Sequence, residues 1–131
     1  MRPKLILLII ALSLASSETY AKRGEPKEAQ PVSLNGVKYS APQCWLQVKE
    51  SLGPGYIQAN DLKTGKLLWQ LRVYEIRINE NIERDVQDVF ITSLKIVDGK
   101  LHVWNEAHDH FVVDLAQRRV IEGAKRVYYY R

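Results

Sequence analysis

The sequence predicts an all-β fold: an antiparallel meander of seven or eight strands, forming a small sandwich or barrel-like domain. Three observations predict it. From Val32 onward, apolar residues recur with a period of two. Turn-forming pairs, Asn35-Gly36 and Asp98-Gly99 above all, punctuate that alternation. Asn-Gly and Asp-Gly supply the positive φ angles of two-residue hairpins. The apolar runs are also rich in β-branched and aromatic residues, which suit a pleated, half-buried surface.

The elements follow in order. Residues 32–34 and 37–39 flank the Asn35-Gly36 turn. In residues 43–49, Cys44, Leu46 and Val48 share one side, and Ser51-Leu52-Gly53-Pro54-Gly55 ends the run. Residues 55–60 make the next strand, and a turn at 61–65 leads into a long strand over 66–78. Within that strand Leu67, Trp69, Leu71 and Val73 are apolar on one face, but Tyr74, Ile76 and Ile78 continue in the opposite phase. A strand cannot exchange its faces without an extra residue or a bend, so a bend is expected near Val73-Tyr74. Residues 79–88 break the pattern. Ile82, Val86, Val89 and Phe90 fall at helical spacing, which predicts one or two helical turns with a solvated acidic face. Strands over 90–97 and 100–105 flank Asp98-Gly99. Residues 111–114, 119–122 and 125–130 complete the set.

Ahead of this region lies a different kind of sequence. Arg2 and Lys4 precede the apolar run 5–15, and small or polar residues follow up to Ala21. This is the layout of a secretory signal, with cleavage expected after Ala21 and a second fitting position after Ser17. The run is shorter than the roughly 20 residues a spanning helix needs. The expected organisation is a signal peptide over 1–21, a polar flexible linker over 22–31 and one β domain over 32–131. Cleavage removes Arg2, Lys4 and Glu18 and leaves 17 of the 19 basic and 14 of the 15 acidic residues, a net charge of +3. The charges are mixed along the chain and form no basic face of the kind nucleic acids need. Cys44 is the single cysteine, so no disulfide can form within the chain. The expected location is the periplasm or the cell exterior, with no spanning segment in the mature chain.

One segment resembles a known family. Residues 59–69, Ala-Asn-Asp-Leu-Lys-Thr-Gly-Lys-Leu-Leu-Trp, look like the blade repeat of PQQ-like β-propellers, which reads Ala-x-Asp, two residues, Thr-Gly-Lys, two residues, Trp. The resemblance implies a strand–turn–strand in which Trp69 docks between neighbouring sheets. A degenerate second copy over 112–121 aligns Asp114 with Asp61, 53 residues apart. The match spans one hairpin, and 110 residues cannot supply the four blades a propeller requires. Quinone binding is not carried over.

No motif identifies a reaction. Nucleophile elbows and phosphate-binding glycine loops are absent from the sequence, and Asp61, Asp98 and Asp114 are accounted for as turn residues. The densest polar stretch is residues 102–110, which holds all three histidines. His108 and His110 share a face if extended, and with His102 they are a candidate metal set for Zn²⁺ or Cu²⁺, completed by Glu106 or Asp109. Trp104 alternates with Leu101 and Val103 and should face outward. Together with Tyr128, Tyr129 and Tyr130 it is a candidate surface for a protein partner or an envelope glycan. The reading that follows is a non-catalytic binding or envelope-assembly module without a cofactor. The alternative is a small metal-binding protein or metal-dependent enzyme built on His102, His108 and His110.

Overall fold

The computed structural model describes residues 26–43, 54–83, 86–123 and 126–129. The expected signal peptide, the run around Cys44, Lys125 and Tyr130 lie outside the described residues. Among the described residues ten strands are formed: β1 (Val32–Leu34), β2 (Val37–Ser40), β3 (Tyr56–Asp61), β4 (Leu67–Arg72), β5 (Glu75–Arg77), β6 (Ile91–Val97), β7 (Lys100–Asn105), β8 (His110–Asp114), β9 (Arg119–Glu122) and β10 (Val127–Tyr129). The fold is all-β, as expected, but with ten strands in place of seven or eight. Two four-stranded antiparallel meanders, β1-β2-β3-β4 and β6-β7-β8-β9, are joined by a two-stranded parallel ribbon of β5 and β10. Both large sheets are open, so the sandwich is formed and the barrel is not.

The long strand expected over 66–78 is broken where the phase changes. β4 ends at Arg72 and β5 begins at Glu75. Val73 and Tyr74 between them are each 3% exposed. The Val73 amide donates to the Gly55 carbonyl at 2.7 Å, and the Tyr74 ring stacks on Phe111 at 5.1 Å between centroids. Burying Tyr74 takes the backbone out of the first sheet and delivers β5 to the ribbon. Of the stretch 79–88 where helical turns are expected, residues 84 and 85 lie outside the described residues. Its first part is a tight turn, closed by Ile82 donating to the Asn79 carbonyl at 3.1 Å. The buried Gln87 organises this loop. Its side-chain Oε1 accepts from the Asn79 amide at 2.6 Å, and its Nε2 donates to the carbonyls of Asn79 and Ile82, both at 2.9 Å. One side chain thus ties the two ends of the loop together.

The two large sheets repeat one another residue for residue. In the first sheet a row of facing residues runs Val32, Tyr39, Ala59, Trp69 across the four strands. In the second the corresponding row is Lys95, His102, Val112, Glu122. The shift is 63 residues on the first two strands and 53 on the last two. Between the equivalent pairs Ser40/Val103 and Tyr56/Asp109, the stretch 41–55 against 104–108 absorbs the ten-residue difference. A bulge falls at Ala59/Asn60 in one sheet and at Val112/Val113 in the other. Positive φ recurs at matching places: Asn35 and Asp98, Gly36 and Gly99, Gly55 and His108, Gly65 and Arg118. Asp61 Oδ1 accepts from the Lys63 and Thr64 amides, and Asp114 Oδ1 from the Gln117 amide at the position equivalent to Thr64.

The core lies between the sheets. The first contributes Tyr39, Ile57 and Ala59, and the second Leu94, Leu101, Val103, Phe111 and Val113, all buried. Each large aliphatic side chain taken fully out of water contributes roughly 1.5–3 kcal/mol. Trp69 leans on Tyr39 at 5.9 Å, and the Arg118 guanidinium of the second sheet lies 5.4 Å from its ring centroid. Ala29, placed by the sequence in a free linker, is 3% exposed and belongs to this core. A single methyl facing the sheets is enough to dock that stretch.

Candidate functional site

Because the sheets stack as successive repeats, equivalent faces point the same way. The face of the first sheet that meets the core corresponds to the face of the second that looks outward. Tyr39 and Ile57, both buried, therefore have His102 and His110 as their counterparts, and Ala41 has Trp104. The opposite comparison gives a different result. Leu101, Val103, Phe111 and Val113, buried in the second sheet, correspond to Lys38, Ser40, Gln58 and Asn60 on the outer face of the first. That face is polar in composition, with Lys38 exposed, Gln58 and Asn60 half-buried and Ser40 buried. The outer face of the second sheet keeps three rings.

Strand pairing brings those rings together. The Asp98-Gly99 turn pairs β6 with β7 so that Lys95 faces His102 and Ser93 faces Trp104. The short turn after β7 then pairs Trp104 with His110 and His102 with Val112. His102 and His110 are diagonal neighbours on one face. His102 Nδ1 and His110 Nε2 are 2.8 Å apart in a hydrogen bond. The ring centroids are 5.0 Å apart with 16° between planes. An in-plane N···N contact between five-membered rings leaves that separation, so the imidazoles lie edge to edge and nearly coplanar. The Trp104 indole lies against this plate, 4.6 Å from the His110 centroid at 11° and 6.0 Å from His102 at 25°. The rings hold one another in orientation. Val112, in the row between His102 and Glu122, is 3% exposed although it sits on the outer face, so the side chains around it close over it.

The other residues singled out from the sequence are dispersed. His108 is exposed and occupies the positive-φ position of the turn between β7 and β8, φ +63°, with its amide donating to the Asn105 carbonyl at 3.0 Å. Among the described residues no group of three or more His, Cys, Asp or Glu is arranged to hold a metal ion. Glu106 Oε1 accepts from the Phe90 amide at 3.0 Å, which ties it to the start of β6. Asp109 accepts from the Tyr128 hydroxyl and lies 3.5 Å from Arg126 Nε. Tyr128 itself faces inward. Its hydroxyl receives a hydrogen bond from Asn105 Nδ2 at 2.6 Å, and its ring meets Tyr74 edge-on at 5.1 Å. Burial is the main cause that holds the Tyr128 hydroxyl above the usual tyrosine range, and its bond to Asp109 adds to it. Tyr129 is 56% exposed, with the Arg77 guanidinium 5.3 Å from its ring centroid. The outward surface expected of Trp104 and the terminal tyrosines is thus two separate features, and Tyr128 is a fastener of the fold.

Two neighbours were missed from the sequence. Lys95 faces His102 directly, which a two-residue turn at Asp98-Gly99 already fixes. Asn105, 2% exposed, was read only as part of a polar tip. Its Oδ1 accepts from the amides of Ala107 and Asp109, both at 3.1 Å, and so shapes the turn that sets the His110 register. No protein-family model matches the chain, and none of the curated proteins is significantly similar to it.

Proposed function

We propose that the chain is an exported, non-catalytic binding module of the cell envelope, and that its recognition surface is the outer face of the second sheet around Trp104, His102 and His110. The carrying observation is the contrast between the two outer faces. The first sheet carries Lys38, Ser40, Gln58 and Asn60 on that face, of which Lys38 alone is fully exposed, whereas the second carries a packed aromatic and imidazole plate. Rings held rigid before binding lose little entropy on association, which favours a recognition role.

Export rests on the arrangement of residues 1–21. No helix among the described residues is long and apolar enough to cross a membrane. The four-stranded meanders and the position of Trp69 under Arg118 support reading the 59–69 resemblance as a blade-like repeat, without its quinone. Ring and imidazole chemistry on the plate, beside Ser93 and Lys95, fits a protein partner or an envelope glycan.

The test is a photo-crosslinking amino acid placed at Ser93, beside Trp104, in the native host. A specific crosslinked protein or glycan that disappears with Trp104→Ala supports the reading. Crosslinks unaffected by Trp104→Ala, or their absence beside a positive control at another surface, reject this face. Mass spectrometry of the purified chain should find an N-terminus near Lys22.

A further inference from the structure

We propose that His102 and His110 form a two-imidazole site for a first-row transition-metal dication, with Cu²⁺ held more tightly than Ni²⁺ or Zn²⁺. This goes beyond the docking role and does not depend on it. His108 takes no part.

The argument starts from the hydrogen bond. At 2.8 Å, one of the two facing nitrogens carries a hydrogen and the other a lone pair. A neutral imidazole can carry its hydrogen on either ring nitrogen. Moving the bridging hydrogen to the far nitrogen of the same ring leaves two lone pairs aimed into one gap. That arrangement is repulsive when empty and attractive around a cation. Metal–nitrogen bonds of about 2.0–2.1 Å subtending a tetrahedral or square angle need the nitrogens about 3 Å apart. The lone pairs meet nearly head-on, so each ring must also swing by about 35–45° for both to converge on one ion beside the line joining them, a side-chain rotation on fixed strands. No proton need leave the protein.

The supports are already rigid. His102 stands on β7 and His110 on β8, the two central strands of a four-stranded sheet, and Trp104 lies against both rings. Imidazole pairs suit copper, nickel and zinc, and affinity rises to copper along the divalent series. The remaining coordination positions face solvent and take water. Lys95 opposite His102 works against a dication, and with two protein ligands the site is weaker than a closed three- or four-ligand centre.

The experiment is calorimetric titration of the untagged full-length or processed chain with CuCl₂, ZnCl₂ and NiCl₂, at fixed pH in a weakly coordinating buffer. One equivalent of Cu²⁺ is expected to bind. His102→Gln and His110→Gln should each weaken that binding at least tenfold, and His108→Gln should change it less than twofold. Both glutamine variants replace outward-facing side chains, and circular dichroism checks their fold. Electron paramagnetic resonance of the Cu²⁺ form should show coupling to imidazole nitrogens that is lost in the double variant. Bound Cu²⁺ should also quench the Trp104 emission. Binding that survives in the His102→Gln/His110→Gln double variant overturns the proposal. So does an equal loss in His108→Gln, or quenching that persists in Trp104→Phe. A crosslinked partner with no metal binding would leave the docking face standing and remove only the metal.

Discussion

Asn105 Nδ2 donates to the Tyr128 hydroxyl across 2.6 Å, joining the end of β7 to the last strand, 23 residues further along the chain. Asn105 also closes the turn that delivers His110 to its place beside His102. The candidate site and the closing strand therefore share one buried amide. Each buried partner left without its hydrogen bond costs roughly 1–3 kcal/mol. Asn105→Ala should destabilise by more than Tyr128→Phe, because it takes the acceptor from the Ala107 and Asp109 amides as well as the donor from the hydroxyl, which keeps its bond to Asp109. Urea denaturation of both variants checks the order. Equal losses would show that the turn amides find other partners.

Gly55 and His108 occupy equivalent turn positions and should respond oppositely to substitution. Gly55 has φ +88°, and a Cβ there would lie 2.8 Å from the Tyr74 carbonyl oxygen. Gly55→Ala should lower stability by at least about 1 kcal/mol through strain and displacement of Tyr74. His108 holds a positive φ with a full side chain, which costs a non-glycine residue about 1 kcal/mol. His108→Gly should be neutral or raise the melting temperature. Thermal unfolding of the pair tests whether the backbone equivalence holds energetically.

Alkaline pH should unfold the protein through its buried tyrosines. Burial, with Tyr128 and Glu106 nearby, pushes the Tyr74 hydroxyl far above the usual tyrosine range, and Tyr128 is raised too. A raised tyrosine favours the neutral form in the fold. Its contribution is intact below the unfolded value of about 10 and is lost progressively as pH rises above it. Melting temperatures measured from pH 8 to 11.5 should fall above pH 10. Tyr74→Phe should flatten that fall while lowering stability at neutral pH, since its hydroxyl no longer reaches the Val89 carbonyl.

Acid has the opposite sign at Asp61. The Thr64 amide and hydroxyl, then the Lys63 amide, hold its carboxyl below the usual range. The stabilisation is present above the unfolded value and is lost as pH falls through the folded one. Asp61→Asn should make stability between pH 5 and 2 less dependent on pH, and a shallower acid limb in urea midpoints is the expected reading.

Gln87→Glu keeps the size of the side chain but removes the Nε2 donor. The carbonyls of Asn79 and Ile82 then face a carboxylate in place of an amide. The loop 79–83 should exchange its amide hydrogens faster, and overall stability should fall by about 2 kcal/mol or more. Gln87→Ala should loosen the loop with less electrostatic penalty. A similar loss in both would mean that shape alone secures it.

The sequence made some of this legible and hid the rest for physical reasons. Asn35-Gly36 and Asp98-Gly99 announced two hairpins because positive φ at consecutive residues admits few other sequences. The phase change at Val73-Tyr74 announced the break because alternation cannot survive a bend. The β5 and β10 ribbon gave no signal. A parallel pair has no connecting turn, and its partners Ile76 and Tyr128 lie far apart in the chain. Tyr128 looked like surface because a tyrosine that spends its hydroxyl inside reads the same as one that spends it outside. The repeat was visible at Asp61 and Asp114 alone. Side chains diverged around it, and register, bulge and φ preserved what the letters lost. Of the three histidines, the sequence offered proximity along the chain, whereas the hairpin register decided which two meet.

The Asn35-Gly36 turn also gives the molecule a chemical age. Asn35 and Gly36 are both exposed, and the absence of a side chain on Gly36 lets its amide nitrogen attack the asparagine side chain and expel ammonia. Opening of the resulting ring yields either aspartate or an isoaspartyl linkage. The first outcome turns Asn35-Gly36 into Asp-Gly, the pair that already makes the matching turn at Asp98-Gly99 with nearly the same φ, 49° against 51°. Old molecules of that kind keep their hairpin and gain one negative charge. The second outcome lengthens the main chain by a carbon between two strands in tight register, so damage in storage should begin at the first hairpin, since the Asp98-Gly99 turn must lose water rather than ammonia to form the same ring and does so more slowly.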